Sequence, residues 1–337
     1  MMPSSAVRSF TDPDAYYASI RGAQVDGIVK PGGSYGSRCS WSIEQRFGGG
    51  IAGEMNKRVA VILTIAALWS GQSPAQTAAP TTVTELSKDT ENPVARQITL
   101  PLRYEADFDD GAYNATKDTF EIDQAVVPFR LSEDWALITR TKLPLESLPP
   151  KKLGEHWAFG LSNGYTTFFL SPEHGQGFYW GAGPVLYYPT ATNPALGVNK
   201  WGSGPSAAFL HQDASPWVFG AVVNNIWSFG GPKTGSDRTN QLFLNPIVNY
   251  HFGDGWSVGS SPEITTNWIA SGGKWTVPVG GGVGKLFRVG GQAVRVDLDS
   301  YYNAVRPQAG NETWLVQLKL TFVFPDRTAV NSEGSEQ

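Results

Sequence analysis

The sequence has little of what most enzyme chemistry and all helical membrane proteins require. A single cysteine, Cys39, in 337 residues excludes a disulfide framework and any cysteine-based zinc site. The four histidines, His156, His174, His211 and His251, are dispersed. No His/Asp/Glu set has ligand spacing, and "DFDDG" at 107–111 lacks the remaining ligands of a calcium loop. No metal, no cofactor and no catalytic residue is therefore expected. Charged residues are only 17% and the net charge is −4, which gives no electrostatic case for a nucleic-acid partner. No apolar run reaches the ~20 residues of a membrane-spanning helix.

Glycine and aromatic residues are plentiful instead, with 38 Gly and 12 Trp, a composition that suits short strands and turns. One glycine run, "TVPVGGGVGKLF" at 276–287, has the look of a phosphate cradle. The P-loop spacing fails: its first glycine would be Val279, and Leu286 stands where the magnesium-binding hydroxyl belongs. The residues beyond Lys285 are strand-like, so these glycines need another explanation.

Export is written inside the chain. From Met55, "MNKRVAVILTIAALWSGQSPAQ" gives a basic start at Lys57 and Arg58, an apolar run Val59–Trp69, and small residues Ser73 and Ala75 before a break. Those are the three parts of a secretory signal peptide. Such a signal works only at an N-terminus, so residues 1–54 are expected to be a non-native extension from a misassigned start. The signal is then 55–75, and the mature chain begins near Gln76. The stretch "FTDPDAYYASIRGAQVDGIV" resembles the N-terminus of AraC-type regulators, which suits a wrongly extended frame.

Beyond the signal the chain alternates apolar with polar or small residues, the period of a half-buried strand. In "TWLVQLKLTFVF", Trp314, Val316, Leu318, Leu320, Phe322 and Phe324 share one face, and Gln317, Lys319 and Thr321 the other. About twelve such segments are expected, at 95–106, 117–130, 134–146, 155–171, 176–190, 200–212, 215–229, 239–253, 255–269, 273–287, 292–306 and 311–324. Tight turns alternate with longer loops, and tryptophans 135, 157, 201, 217, 227, 256, 268 and 275 sit at strand ends. This pattern predicts an all-β fold: a transmembrane antiparallel up-and-down barrel over 95–324, with aromatic girdles at the two interfaces. A periplasmic N-terminal segment (76–94) precedes it and a polar tail (325–337) comes after it. In this frame Gly280, Gly282 and Gly284 face a crowded lumen, and Val277, Val279 and Val283 face lipid.

Projecting the alternation inward gives candidate lumen residues. They are Arg103 and Glu105, Glu121 and Asp123, Arg140 and Lys142, then Arg295, Asp297 and Asp299, and Lys319. If the last strand closes on the first, these form one charged wall. Gly160, Gly220, Asn224, Asn245 and Asn249 form a small, neutral wall opposite. The charged wall is either the polar track of a channel or a set of pairs that fills the barrel.

Nine stretches, "LSKDTENPVA", "LITRTKLPL", "GAGPVLYYPTAT", "KWGSGPSA", "VNNIWSF", "LNPIVNY", "SSPEITTNW", "WTVPVGGGVGKLF" and "YYNAVRP", resemble a family of proteobacterial barrel proteins. The family is similar to those named for the MetA pathway of phenol degradation and is often labelled transporter or "neuromedin U". The resemblance implies an outer-membrane barrel of a Gram-negative bacterium that passes or binds small molecules, hydrophobic or aromatic ones included. Its partners would be outer-membrane lipid, the solute and the barrel-assembly machinery. A non-conducting structural or ligand-binding barrel is the alternative. An outer-membrane hydrolase is a further one, and would need a serine and histidine in hydrogen-bond reach, for which only His156 and Ser162 lie near the outer end. A soluble sandwich would stay in the aqueous fraction after carbonate washing of broken cells. The barrel is expected to sediment with the membrane.

Overall fold

The structure is a computed structural model. The residues described are 82–324 except 112, 232–237, 271 and 308–311. The expected extension 1–54, signal 55–75 and tail 325–337 lie outside them. Among the described residues no helix is long and apolar enough to cross a membrane.

A short helix, α1 (Val83–Asp89), is followed by β1 (Ile98–Asp110), β2 (Ala115–Arg130), β3 (Trp135–Leu148), β4 (Ala158–Leu161), β5 (Gly164–Pro172), β6 (Phe178–Tyr188) and β7 (Trp201–Gln212). Then come β8 (Trp217–Gly230), β9 (Asn240–His251), β10 (Trp256–Ser260), β11 (Ile264–Asn267), β12 (Trp275–Val289), β13 (Gln292–Val305) and β14 (Trp314–Phe324). β4 and β5 both pair with β3 and make one stave. β10 and β11 both lie between β9 and β12 and make another. Each remaining stave pairs with its sequence neighbours, and β1 pairs antiparallel with β14, closing a twelve-stave barrel. Each of the twelve expected intervals holds one stave. Closure leaves no open edge of backbone N–H and C=O groups facing lipid.

The exterior is apolar. Val279, Val283, Leu298, Leu318 and Tyr302 point outward and are exposed, while Arg103, Glu121, Arg295 and Asp297 are buried inward. That inverts a soluble barrel. Aromatic residues ring both ends of this apolar band, as expected: Trp135 packs edge-on against Trp180 and Trp217 against Tyr250 at one end, and Trp268 against Trp275 at the other. Lys285 lies 4.5 Å over the Trp256 ring, an outward lysine carried to the girdle. On β8, Trp217 and Trp227 are ten residues apart. At ~3.3 Å per residue and a tilt of about 40° they are separated by about 25 Å along the membrane normal, the height of an outer-membrane apolar band.

One expectation changes. The loop read at 107–117 is only 111–114, because β1 and β2 continue as a hairpin to Asp110 and Ala115. The prolines of the staves divide between irregular and regular positions. Pro101 and Pro278 sit at register shifts and Pro262 in the break between β10 and β11, but Pro128 and Pro246 stand within regular pairing.

Leu298→Arg, at the middle of the lipid face of β13, is expected to destabilise the folded barrel in vesicles by about 2–4 kcal/mol. Urea unfolding followed by tryptophan fluorescence measures it, and a negligible change would place this face in water.

Candidate functional site: the lumen and its N-terminal strap

The segment 82–97 does not stand free beneath the barrel. It crosses the mouth at the end where the tight turns lie and packs inside; its described residues up to 94 are those read above as the N-terminal segment 76–94. Its entry is fixed by a capping box: the Thr82 hydroxyl accepts from the Glu85 amide, and the Glu85 carboxylate accepts from the Thr82 amide. Apolar anchors hold it at two points. Leu86 packs with Leu286, Ala293 and Val323, and Val94 with Ile138, Phe169, Ala208 and Val222.

Polar ties stretch to the rim on several sides. Lys88 Nζ donates to the carbonyls of Asp213 (3.0 Å) and Ser215 (2.5 Å) in the β7–β8 turn. Asp89 accepts from Gln97 (2.9 Å) and Gln212 (2.7 Å). Arg96 pairs with Glu173 at 3.1 Å in the β5–β6 turn.

The central tie is Glu91. Its carboxylate meets Arg295 at 2.7 Å, accepts from Asn249 at 2.8 Å and lies 3.3 Å from His251 Nε2. Burial pushes this carboxyl up, but the Arg295 charge and the His251 and Asn249 contacts outweigh it, so its pKa lies below the ordinary carboxylate value. Arg295 is itself held by Asp297 (2.8 Å), by Ser257 (2.8 Å) and by both the hydroxyl and the carbonyl of Ser87. Here the glycine run finds its reason. A Cβ on Gly284 would land on Asp297 Oδ1 and 2.7 Å from Arg295 Nη2, so a side chain at 284 would displace the pair that grips the strap.

A second cluster lies deeper. Arg103 is its hub, paired with Glu121, with Glu263 at 2.7 Å, Asp123 at 3.6 Å and Glu105 at 3.8 Å. Lys142 joins at 3.3 Å from Glu121 and 3.0 Å from Glu263. Asp123 lies inward in step with Glu121, and β2 bulges directly after it, where Gln124 adopts φ +61° between Ile122 and Ala125. Arg140, Asp299 and Lys319 line the remaining polar chamber of about 120 Å³, whose floor is Thr90, Glu91 and Asn92 of the strap. Arg140 and Lys319 have no ion pair within 4.0 Å among the described residues. Arg140 Nε and Nη1 are buried without a hydrogen-bond partner.

All ten projected residues thus face inward, and closure of β14 on β1 makes their staves contiguous. Pairing accounts for Arg103, Glu105, Glu121, Asp123, Lys142, Arg295 and Asp297. The neutral wall is less open than expected. Asn245 and Asn249 are committed to hydrogen bonds, and Ile138, Phe169, Leu210 and Phe243 fill the space beside them. Glu91 and Glu263 escaped the projection. Glu91 lies in a segment with no strand period, and Glu263 in the break after Pro262, which was the available signal. His156 and Ser162 are not joined: the Ser162 hydroxyl donates to the Leu196 carbonyl at 2.6 Å.

A family model described as the MetA-pathway of phenol degradation matches residues 150–320. No curated protein matches the sequence. Among solved structures, an outer membrane channel from Pseudomonas putida F1 matches with TM-score 0.52 and 16% identity, over 76% of this chain and 100% of that one. The outer membrane phospholipase A of Escherichia coli gives 0.37 and 14%, over 78% and 97%. The channel likeness supports the fold.

Because the Glu91 carboxyl has a lower pKa seated than free, seating of the strap is fully supported above the ordinary carboxylate range and weakens as pH falls through the lowered value. Protection of amides 82–97, taken as exchange relative to the intrinsic rate at each pH, is expected to be high at neutral pH and to fall in acid. Arg295→Ala, which strands a buried carboxylate, is expected to weaken seating by about 3–5 kcal/mol at neutral pH in the same assay.

Proposed function

The chain belongs to the family described as the MetA-pathway of phenol degradation, and we propose that it is an outer-membrane channel for small solutes, gated at its periplasmic mouth by residues 82–97. The observation that carries this reading is the strap. A polar chamber is floored by a segment of chain outside the staves, held by side-chain ties, instead of by the barrel wall itself.

In this reading the end with tight turns faces the periplasm and the longer loops face outward. Solute enters from the loop end and meets the Arg103 cluster. It leaves once the Glu91–Arg295 tie is broken and the strap swings out. The family's association with phenol degradation and the likeness to the Pseudomonas putida channel support small solutes as cargo, aromatic ones included. A second reading, a barrel closed for good, is favoured by the extensive pairing of Arg103 and Arg295. Nothing in the Ser162 geometry favours hydrolysis.

Planar-bilayer recording of the chain from Gln76 separates the two. Brief, small current steps are expected for the native sequence, and longer, larger ones for Glu91→Gln and Arg295→Ala. The ten projected residues carry five charges of each sign, and Glu91 and Glu263 add two acids. Reversal potentials are therefore expected to favour cations, more so in Arg140→Ala and less so in Asp297→Ala. Folded, inserted protein without steps in any variant would establish the closed barrel.

A further inference from the structure

The wall has one built break. β10 pairs with β12 as far as Gly259 opposite Gly282, and pairing resumes on β11 with Thr265 opposite Thr276. The register is the same on both sides, so residues 260–264 and 277–281 face each other without ladder pairing. Pro262 on one side and Pro278 on the other lack the N–H such pairing needs. Toward β9 the gap is only 261–263. Unpaired backbone in a bilayer is costly, and at Ser261 and Pro262 it is met by side chains from within. The Ser261 amide donates to the Tyr301 hydroxyl at 3.1 Å, and Asn245 Nδ2 donates to the carbonyls of Ser261 (2.9 Å) and Pro262 (3.1 Å). The break keeps its partners without the seam to β12 being closed.

A cavity meets the seam on each side, the lipid-side one at the seam's turn-end margin, where Ser260 and Gly281 are its seam residues. On the lipid side an apolar notch of about 550 Å³ is formed where Gly259, Gly281 and Gly282 leave the wall bare between Val258 and Val283, below the Trp217–Tyr250 ring pair. On the inner side lies the polar chamber. Ser260 lines both, so the two cavities meet at that residue. The strap meanwhile closes the chamber toward the turn end.

We propose that the seam between β10–β11 and β12 is a lateral passage, through which small neutral apolar solutes, of the size of one or two fused aromatic rings, move from the chamber into the bilayer. A neutral ring gains by leaving a polar chamber for an apolar notch, whereas an ion would lose its hydration there. This rests on the channel reading above but uses a different exit. The strap need not move for an apolar solute to leave.

The test is uptake of radiolabelled naphthalene by Gram-negative cells expressing the chain from Met55, with its signal and without Cys39. Ile264→Cys with Val277→Cys places a cysteine on each side of the seam, at positions opposite in the flanking register. Oxidation is expected to reduce uptake to the rate of cells lacking the protein, and reduction to restore it. Val258→Trp, on the exposed lipid face, fills the notch without touching the seam backbone and is expected to reduce uptake likewise. Equal uptake by oxidised and reduced forms, with Val258→Trp also unimpaired, would overturn the proposal. So would absence of naphthalene uptake by the native chain. Ionic current steps from the same proteins report separately on the channel reading: steps that persist while naphthalene uptake is absent would sink the lateral passage alone.

Discussion

Everything in this molecule depends on the rule that backbone N–H and C=O groups in hydrocarbon must find partners within the protein. The rule closes β14 on β1, and closure forces each stave to present alternate residues to lipid and to lumen. It makes the one interrupted stave informative, because its unpaired groups at Ser261 and Pro262 are met by Asn245 and Tyr301 instead of by a neighbouring strand. A chance defect would leave those groups bare.

Closure creates a second problem, the filling of a narrow interior, and the chain solves it differently along the barrel. Near the turn end the inward residues are apolar and pack on Leu86 and Val94 of the strap. Further in, each of the two arginine-centred clusters pairs its charges internally. Buried ion pairs of this kind stabilise little relative to a well-packed apolar core, but removing one partner leaves a stranded charge. Such an interior is therefore stable when complete and sensitive to single changes, which suits a tie that must hold and also release.

The staves were legible in the sequence because the lipid face demands apolar residues at every second position and aromatic residues at the interfaces. "TWLVQLKLTFVF" shows both demands in one strand. Four features were not legible. The strap helix, "VTELSKD", is too short to show a helical period, and its burial depends on β12, β13 and β14, far away in sequence. The β1–β2 hairpin reads as a loop because strands that extend past the bilayer carry Asp, Asn and Lys on both faces. Glu263 comes after a proline that ends the alternation on which the projection relied. The Asp123 bulge turns on a left-handed Gln124, a conformation that no residue type announces as glycine would.

The strap has one more consequence, concerning the order in which the molecule is made. Residues 82–97 emerge before any stave, yet Leu86 needs Leu286, Ala293 and Val323, and Glu91 needs Arg295. None of those partners is in place until the last three staves have joined the sheet. Val94, Lys88 and Arg96 can find their partners on the earlier staves, but the grip of Leu86 and Glu91 is completed only when the last staves are in place. A barrel missing its last hairpin would therefore hold its earliest segment at one end and not at the other.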